Sequence, residues 1–322
     1  MRIVVALGGN ALLQRGERPD AAPQLDQVAK AAGPIAELAR EHQVVLVHGN
    51  GPQVGLLALE SAADQSLSRP YPLGDLVAET QGLIGYWLQQ AISRTLTTPV
   101  VTLVTQTVVD PRDAAFANPT KFVGSVYDEL EAKTLATEHD WTFARDGEAW
   151  RRVVASPAPV RVVETDTAEL LLSSGVTVVL AGGGGVPVIE GAIGLEGIEA
   201  VVDKDLVAAL VARELGADLL VVLTDVAAVM AEFGTPRQRP LTQVTPSELA
   251  RHRFPAGSMG PKIDAVCQFV MQTGNRAAVG SLDEVAAVVA GDAGTQVLGD
   301  VDPVKGGQQS QVGQGQVVDG QT

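Results

Sequence analysis

The sequence predicts an α/β fold, an open and mostly parallel sheet clothed by helices. Three observations predict it. Short Val/Leu-rich runs alternate with stretches of helical period, glycine-rich turns follow the expected strands, and the chain is poor in aromatics, which make up 4% of it. Parallel strands buried on both faces read as continuous apolar runs, and strands alternating with helices mark such a sheet. At 322 residues there is room for one large domain or two lobes.

Ile3-Val4-Val5-Ala6-Leu7 is the first expected strand, ending in glycines. Leu25, Val28, Ala29, Ala32, Ile35, Ala36 and Leu38-Ala39 then recur at helical spacing. Val44–Val47 is the next strand and also ends in a Gly/Asn loop. Leu73 to about Arg94 reads as helix and Val100–Val104 as strand. Helix Thr165–Ser173, strand Val176–Leu180, helix Leu206–Leu215 and strand Leu219–Leu223 follow. A helix starting near Thr245 has Pro246 at its first position and Glu248 to complete a capping box. Met259–Gln272 reads as helix, Ala277–Val279 as strand, and Ser281 with Glu284 caps a last helix. Two stretches break the alternation. Residues from about 111 to 152 hold two of the three tryptophans and many charges, and are expected to form a small protruding subdomain. Residues 299–322, rich in Gln, Gly and Val without a helical period, read as a disordered tail.

The net charge of −15 excludes the basic footprint that nucleic-acid binding requires. An acidic chain that binds anions must focus positive charge locally, so its few lysines are informative. The single cysteine, Cys267, rules out an internal disulfide or a thiolate metal cluster and fits a reducing, cytoplasmic setting. Arg2 and the apolar Ile3–Leu7 imitate a signal peptide, but Gly8-Gly9-Asn10 interrupts them with no convincing cleavage site after. Residues 170–189 carry no charge and match a membrane span in length. Ser173-Ser174-Gly175, Gly182–Gly185 and Pro187 break that stretch into helix end, strand and loop, so no membrane partner is expected.

The chemistry is carried by glycine turns and lysines. Gly8-Gly9-Asn10, Gly49-Asn50-Gly51 and Gly182–Gly185 each follow an expected strand. Glycine lets backbone N–H groups approach an anion, and a following helix adds its positive end. Taken singly, each reads better as a plain tight turn; three at strand C-termini point to a ligand edge. Gly-Lys never occurs, so there is no Walker A loop, and no G-x-G-x-x-G opens a helix. An NAD-dependent enzyme would rest on glycine content alone. Only His48 among the four histidines adjoins a glycine loop, where a hydrogen-bonded structural role is expected. Of six lysines, Lys121 lies in Asn118-Pro119-Thr120-Lys121, Lys204 in Val202-Asp203-Lys204-Asp205 where a strand is expected to meet a helix, and Lys262 after Gly257-Ser258-Met259-Gly260-Pro261 at a helix start. A cation at a helix N-terminus opposes the helix dipole, and an anionic ligand would account for it.

These pieces resemble the carbamate kinase family of the amino-acid-kinase superfamily. The matching segments are Ala6–Ala11, His48–Gly55, Thr80–Tyr86, Asn118–Lys121, Arg151–Pro157, Gly182–Val188, Asp203–Leu206 with Ala208, Leu223–Val226 and Gly257–Lys262, in the family's order and spanning nearly all of residues 1–298. Relatives such as acetylglutamate kinases place a lysine just before the first glycines; here Ala6 stands there, and the resemblance implies that Lys121 of the inserted subdomain supplies the charge. Two stretches depart from the family pattern: Phe122 and Ser125 replace prolines, and Met230–Phe233 replaces a tyrosine and an asparagine near the adenine.

The resemblance implies a three-layer αβα sandwich. It implies a carbamate-binding N-lobe over residues 1–175 and a nucleotide-binding C-lobe over 176–298. It further implies reversible phosphoryl transfer between ATP and carbamate, giving ADP and carbamoyl phosphate and serving ATP generation in arginine breakdown. Mg²⁺ on the nucleotide and a homodimer come with it. In this reading Lys121, Lys204 and Lys262 steady the transferring phosphoryl, the last two also meeting the nucleotide, and Asp205 holds the ammonium groups. Gly8, Gly9 and Asn10 contact the phosphoryl, Asn50 and Gly51 hold carbamate, Gly183 and Gly184 line the cleft, and Thr224 and Asp225 adjoin the nucleotide. Two other readings stay open: a superfamily kinase acting on a carboxylate, and a nucleotide-binding regulator without catalysis.

Overall fold

The computed structural model describes residues 1–9, 12–13, 17–255, 257 and 259–300. Asn10, Ser258 and all of the expected tail except Gly299 and Asp300 lie outside the described residues. The chain opens with β1 (Arg2–Leu7), α1 (Ala21–Glu41), β2 (Gln43–His48), α2 (Gly51–Ala63), α3 (Leu73–Ile92) and β3 (Val100–Thr102). Next come β4 (Gln106–Val109), the single turn α4 (Ala114–Ala117), β5 (Lys121–Tyr127), α5 (Glu129–His139), β6 (Thr142–Asp146), β7 (Ala149–Val154) and β8 (Pro159–Val162). Then follow α6 (Thr165–Ser173), β9 (Thr177–Val179), β10 (Val186–Gly191), β11 (Gly194–Gly197), α7 (Lys204–Glu214) and β12 (Leu219–Thr224). The last group is β13 (Met230–Ala231), β14 (Arg239–Pro240), β15 (Gln243–Val244), α8 (Pro246–Leu249), α9 (Met259–Thr273), β16 (Arg276–Ser281), α10 (Val285–Ala290) and β17 (Thr295–Val297).

Eight strands form the central sheet in the order β15-β17-β16-β12-β1-β2-β9-β3, parallel except for the β16–β17 pair. Side chains alternate across a strand, and the core divides accordingly. Ile3, Val5 and Leu7 pack with Val28 and Ile35 of α1, Ile84 and Leu88 of α3 and Val288 of α10. Val4 and Ala6 pack on the opposite face with Leu172 of α6, Val207 and Val211 of α7, and Val266 and Phe269 of α9. Ile3 to Leu7 are fully buried, which is why β1 reads as an unbroken apolar run. This is a three-layer αβα sandwich. β9, just past the expected lobe boundary, sits between β2 and β3.

A second sheet, β11-β10-β4-β8, extends this body, and an antiparallel sheet, β5-β7-β6, forms the subdomain with α5. A complete Asp128/Glu131 capping box starts α5. The subdomain docks on the body where Val123 and Val154 join Val54, Ala58, Leu76 and Val77 in a small apolar cluster. At that crossing a Cβ on Gly55 would lie 3.2 Å from Gly124 Cα, so α2 and β5 approach as glycine on glycine.

Two expectations need correction. The segment before Lys204 is not a strand: Val201 donates to the Ala155 carbonyl, and the chain turns straight into α7 at Asp203. Ser281 caps a short 3-10 turn, accepting from Asp283 N, rather than α10 itself. Residues 51–63, for which the sequence alone gives no element, form α2, whose first turn takes Pro52 because no N–H is needed there. The uncharged stretch 170–189 is divided among α6, β9, a glycine turn and β10. No helix among the described residues is long and apolar enough to cross a membrane.

Candidate active site

Because β12, β1, β2 and β9 run parallel side by side, their C-terminal ends share one edge. That register brings Gly8 and Gly9, Asn50 and Gly51, the Gly182–Gly185 turn, and Thr224 with Asp225 to a common rim. Gly8 N donates to the Leu223 carbonyl at 3.0 Å, and Gly49 N to the Leu7 carbonyl at 3.1 Å. A Cβ on Gly49 would fall 3.2 Å from both Gly9 N and Lys204 Cε. The two glycine loops and the stem of Lys204 are therefore in contact.

The first turn of α7 organises the cations. Asp203 is its N-cap, one carboxylate oxygen accepting from Asp205 N at 2.9 Å. Its other oxygen receives Lys121 Nζ from β5 at 2.8 Å. Asp205 in turn takes Lys204 Nζ at 2.6 Å on Oδ1 and Lys262 Nζ, from the first turn of α9, at 3.0 Å on Oδ2. Lysines distant in sequence and drawn from three elements thus meet on the three residues 203–205. Lys204, Lys262 and Asp205 are largely buried, whereas the Lys121 side chain is 43% exposed.

Two buried ammonium groups around one carboxylate leave these three side chains with one more positive charge than negative. Burial alone would raise the Asp205 carboxyl, but the charges of Lys204 and Lys262 hold it at about 2. Burial also lowers the pKa of Lys204; Asp205 opposes that shift and the like charge of Lys262 adds to it. A buried charge demands a partner, and an anion at the rim would supply one.

Asn50 stands at the N-cap position of α2 but makes no side-chain capping bond, which leaves that helix start to another acceptor. Its Nδ2 donates to Thr80 Oγ1 at 2.8 Å. Gly183 and Gly184 are buried and back the rim rather than face its opening. Gly183 has φ of 65°, and a Cβ there would lie 2.1 Å from Asn50 Nδ2; Gly184 has φ of 93° and packs under the Val202 carbonyl. His48 is fully buried, its Nδ1 bonded to the Gly49 carbonyl at 2.9 Å and its Nε2 roofed by Gly182. Burial, partly opposed by that hydrogen bond and reinforced by Lys204, lowers its pKa to about 4, so it is neutral.

The amino acid kinase family profile matches residues 1–291. The chain belongs to the amino acid kinase family. It is 49% identical over 300 residues to a carbamate kinase of Rhizobium meliloti, covering 92% of both proteins. It is 45% identical over 309 residues to a carbamate kinase of Pyrococcus horikoshii, covering 92% of this chain and 98% of that one. The solved carbamate kinase from Giardia lamblia bound to AMP-PNP superposes with a TM-score of 0.86 at 39% identity, covering 93% of this chain and 98% of that one. Within the family the chain stands with the carbamate kinases, and it is a kinase, a phosphotransferase.

Thr224 closes β12 and donates to Asp225 Oδ1 at 3.0 Å, placing both at the rim. Arg152, on the central strand of the subdomain sheet, is buried: it bonds Glu199 Oε1 at 2.8 Å and stacks 4.0 Å over the Trp141 ring. Glu199 Oε2 also accepts from Leu73 N, so this arginine ties the subdomain to the start of α3. Among the described residues no three His, Cys, Asp or Glu side chains converge as metal ligands, and both Asp203 and Asp205 are engaged by lysines. These residues do not fit a protein-ligated cation. Sequence reasoning missed Asp203 and Thr80. Asp203 was hidden beside the lysine it neighbours, and Thr80 looks like any small helical residue.

Proposed function

We propose that the chain catalyses reversible phosphoryl transfer between ATP and carbamate, producing ADP and carbamoyl phosphate. The observation that carries this reading is the buried Lys204–Asp205–Lys262 cluster, positive on balance, against glycine amides at the sheet edge of a chain with net charge −15. Phosphoryl transfer depends mainly on positioning and charge neutralisation. Carbamate already bears an anionic oxygen and needs no general base, which suits a rim whose one histidine is buried and neutral. Lys204 and Lys262 neutralise charge building on the phosphoryl oxygens and on the nucleotide, and Asp205 holds both in place. Lys121 reaches the same point from the subdomain. Gly8 and Gly9 contact the transferring phosphoryl through backbone N–H, Asn50 and Gly51 hold carbamate at the start of α2, and Gly183 and Gly184 back them. Thr224 and Asp225 adjoin the nucleotide. Residues 1–175 serve as the carbamate lobe and 176–298 as the nucleotide lobe.

Mg²⁺ would arrive on the nucleotide phosphates and keep several of its waters. The chain would work in the cytoplasm, generating ATP in arginine breakdown. It would pair as a homodimer, a reading supported by β3 at the sheet edge beside the exposed Leu83, Tyr86 and Val104. The test is ATP formation from ADP and carbamoyl phosphate by purified protein, alongside a panel of acetylglutamate, glutamate and aspartate with ATP. Turnover of carbamoyl phosphate is expected. Turnover of a panel carboxylate instead, or nucleotide binding without turnover, overturns the reading.

A further inference from the structure

An asparagine at a helix N-cap ordinarily turns its side-chain oxygen onto first-turn N–H groups. Asn50 does not. Its Nδ2 donates to Thr80 Oγ1 at 2.8 Å, and Thr80 Oγ1 donates to the Val77 carbonyl at 2.9 Å. A hydroxyl has one proton and two lone pairs. With its proton on Val77, Thr80 meets Asn50 only as an acceptor, so Asn50 must offer it an N–H. The carboxamide oxygen is thereby turned the other way. Among the described residues that oxygen accepts no hydrogen bond, which leaves its lone pairs available to a ligand. Thr80 itself has no exposed surface. Gly183 packs flat against the same amide, because a Cβ there would lie 2.1 Å from Asn50 Nδ2 and displace it.

We propose that Asn50 Oδ1 accepts a hydrogen bond from the amino group of the carbamoyl substrate, and that Thr80 is the positioning residue that turns this oxygen toward it. This rests on the placement of Asn50 at the acyl substrate proposed above. It explains how a rim made mostly of N–H donors and ammonium groups, suited to any small acyl anion, distinguishes carbamate. Carbamate is a planar anion with two N–H donors; acetate has the same shape and charge with a methyl in place of the amino group. An acceptor fixed beside that position pairs with the first and is left unpaired by the second, a difference on which strong discrimination is built. A reversed amide would set N–H against N–H and forfeit it.

The probes are carbamoyl phosphate and acetyl phosphate, each with ADP, and the readout is the ratio of their kcat/KM values. Thr80→Val removes the hydroxyl at nearly constant volume, and the ratio is expected to fall about tenfold, the worth of one ordinary hydrogen bond. Thr80→Ser keeps the hydroxyl and is expected to hold the ratio within about twofold of the wild type, a few tenths of a kcal/mol on the same scale. Equal losses with both acyl phosphates, or a ratio that Thr80→Val does not move, overturn the proposal. Asn50→Ala separates it from the reading beneath. A carbamoyl phosphate KM untouched by Asn50→Ala removes Asn50 from the acyl site altogether. A raised KM with a ratio indifferent to Thr80 removes only the orientation claim. If Thr80→Val does not fold, Thr80→Ala, checked by circular dichroism, carries the same comparison.

Discussion

Asp205→Asn perturbs the cation cluster at its centre. The carboxylate is 4% exposed and holds two ammonium groups at 2.6 and 3.0 Å. Those charges overcome the effect of burial and bring its pKa from 3.8 down to about 2. At about 1.36 kcal/mol per unit, the ionised carboxylate contributes roughly 2 kcal/mol to the fold at neutral pH. Asparagine keeps the shape but leaves two like charges buried without a counter-ion, so the loss is expected at roughly 2–4 kcal/mol. The folded pKa lies below the unfolded one. The contribution is therefore complete above the unfolded value of 3.8 and is lost as pH falls toward about 2. Urea unfolding of both proteins at neutral pH reads the gap, and a series below about pH 4 should show it narrowing. A variant within about 0.5 kcal/mol of the wild type, the range of an ordinary surface change, refutes the reasoning. So does a gap indifferent to acid.

The buried His48, with a pKa of about 4 against an ordinary 6.5, acts in the same direction. Its stabilising effect is complete above about pH 6.5 and drains as pH falls toward 4, amounting to roughly 3 kcal/mol. Melting temperatures of His48→Asn should fall less steeply than those of the wild type across that window; parallel curves contradict the assignment. Gly183→Ala should raise the KM for carbamoyl phosphate and destabilise the fold by roughly 1–3 kcal/mol, since it combines a left-handed backbone with a clash on Asn50. Wild-type kinetics and melting would clear Gly183 of that role.

Much of the fold was legible because burial writes itself into composition. β1, β2 and β12 lie inside the sheet, so their sequences are apolar runs with no alternation to misread. Lys204 and Lys262 stood out because lysine is rare in this chain and both stand at helix starts. α2 was not legible, since Gly51-Pro52 and Gly55 are also the marks of a loop. The β11-β10-β4-β8 sheet was hidden for another reason: β4 pairs with a strand about eighty residues away, and nothing local encodes that partner. The meeting of Lys204 and Lys262 on one carboxylate is likewise a tertiary fact, 57 residues apart on the hydrogen bond between Lys262 and Asp205. Residue types pointed to a phosphate pocket, and only the fold shows which carboxylate gathers it.

In the proposed reaction the ammonium groups gathered on Asp203 and Asp205 neutralise the transferring phosphoryl. This role is tested most directly by the kcat for ATP formation from ADP and carbamoyl phosphate in Lys121→Ala, Lys204→Ala and Lys262→Ala, each beside its melting temperature. Each kcat is expected to fall by roughly a hundredfold or more, a loss of at least about 2.7 kcal/mol of transition-state stabilisation that exceeds any loss of fold stability. Near-normal turnover in Lys204→Ala and Lys262→Ala would contradict it.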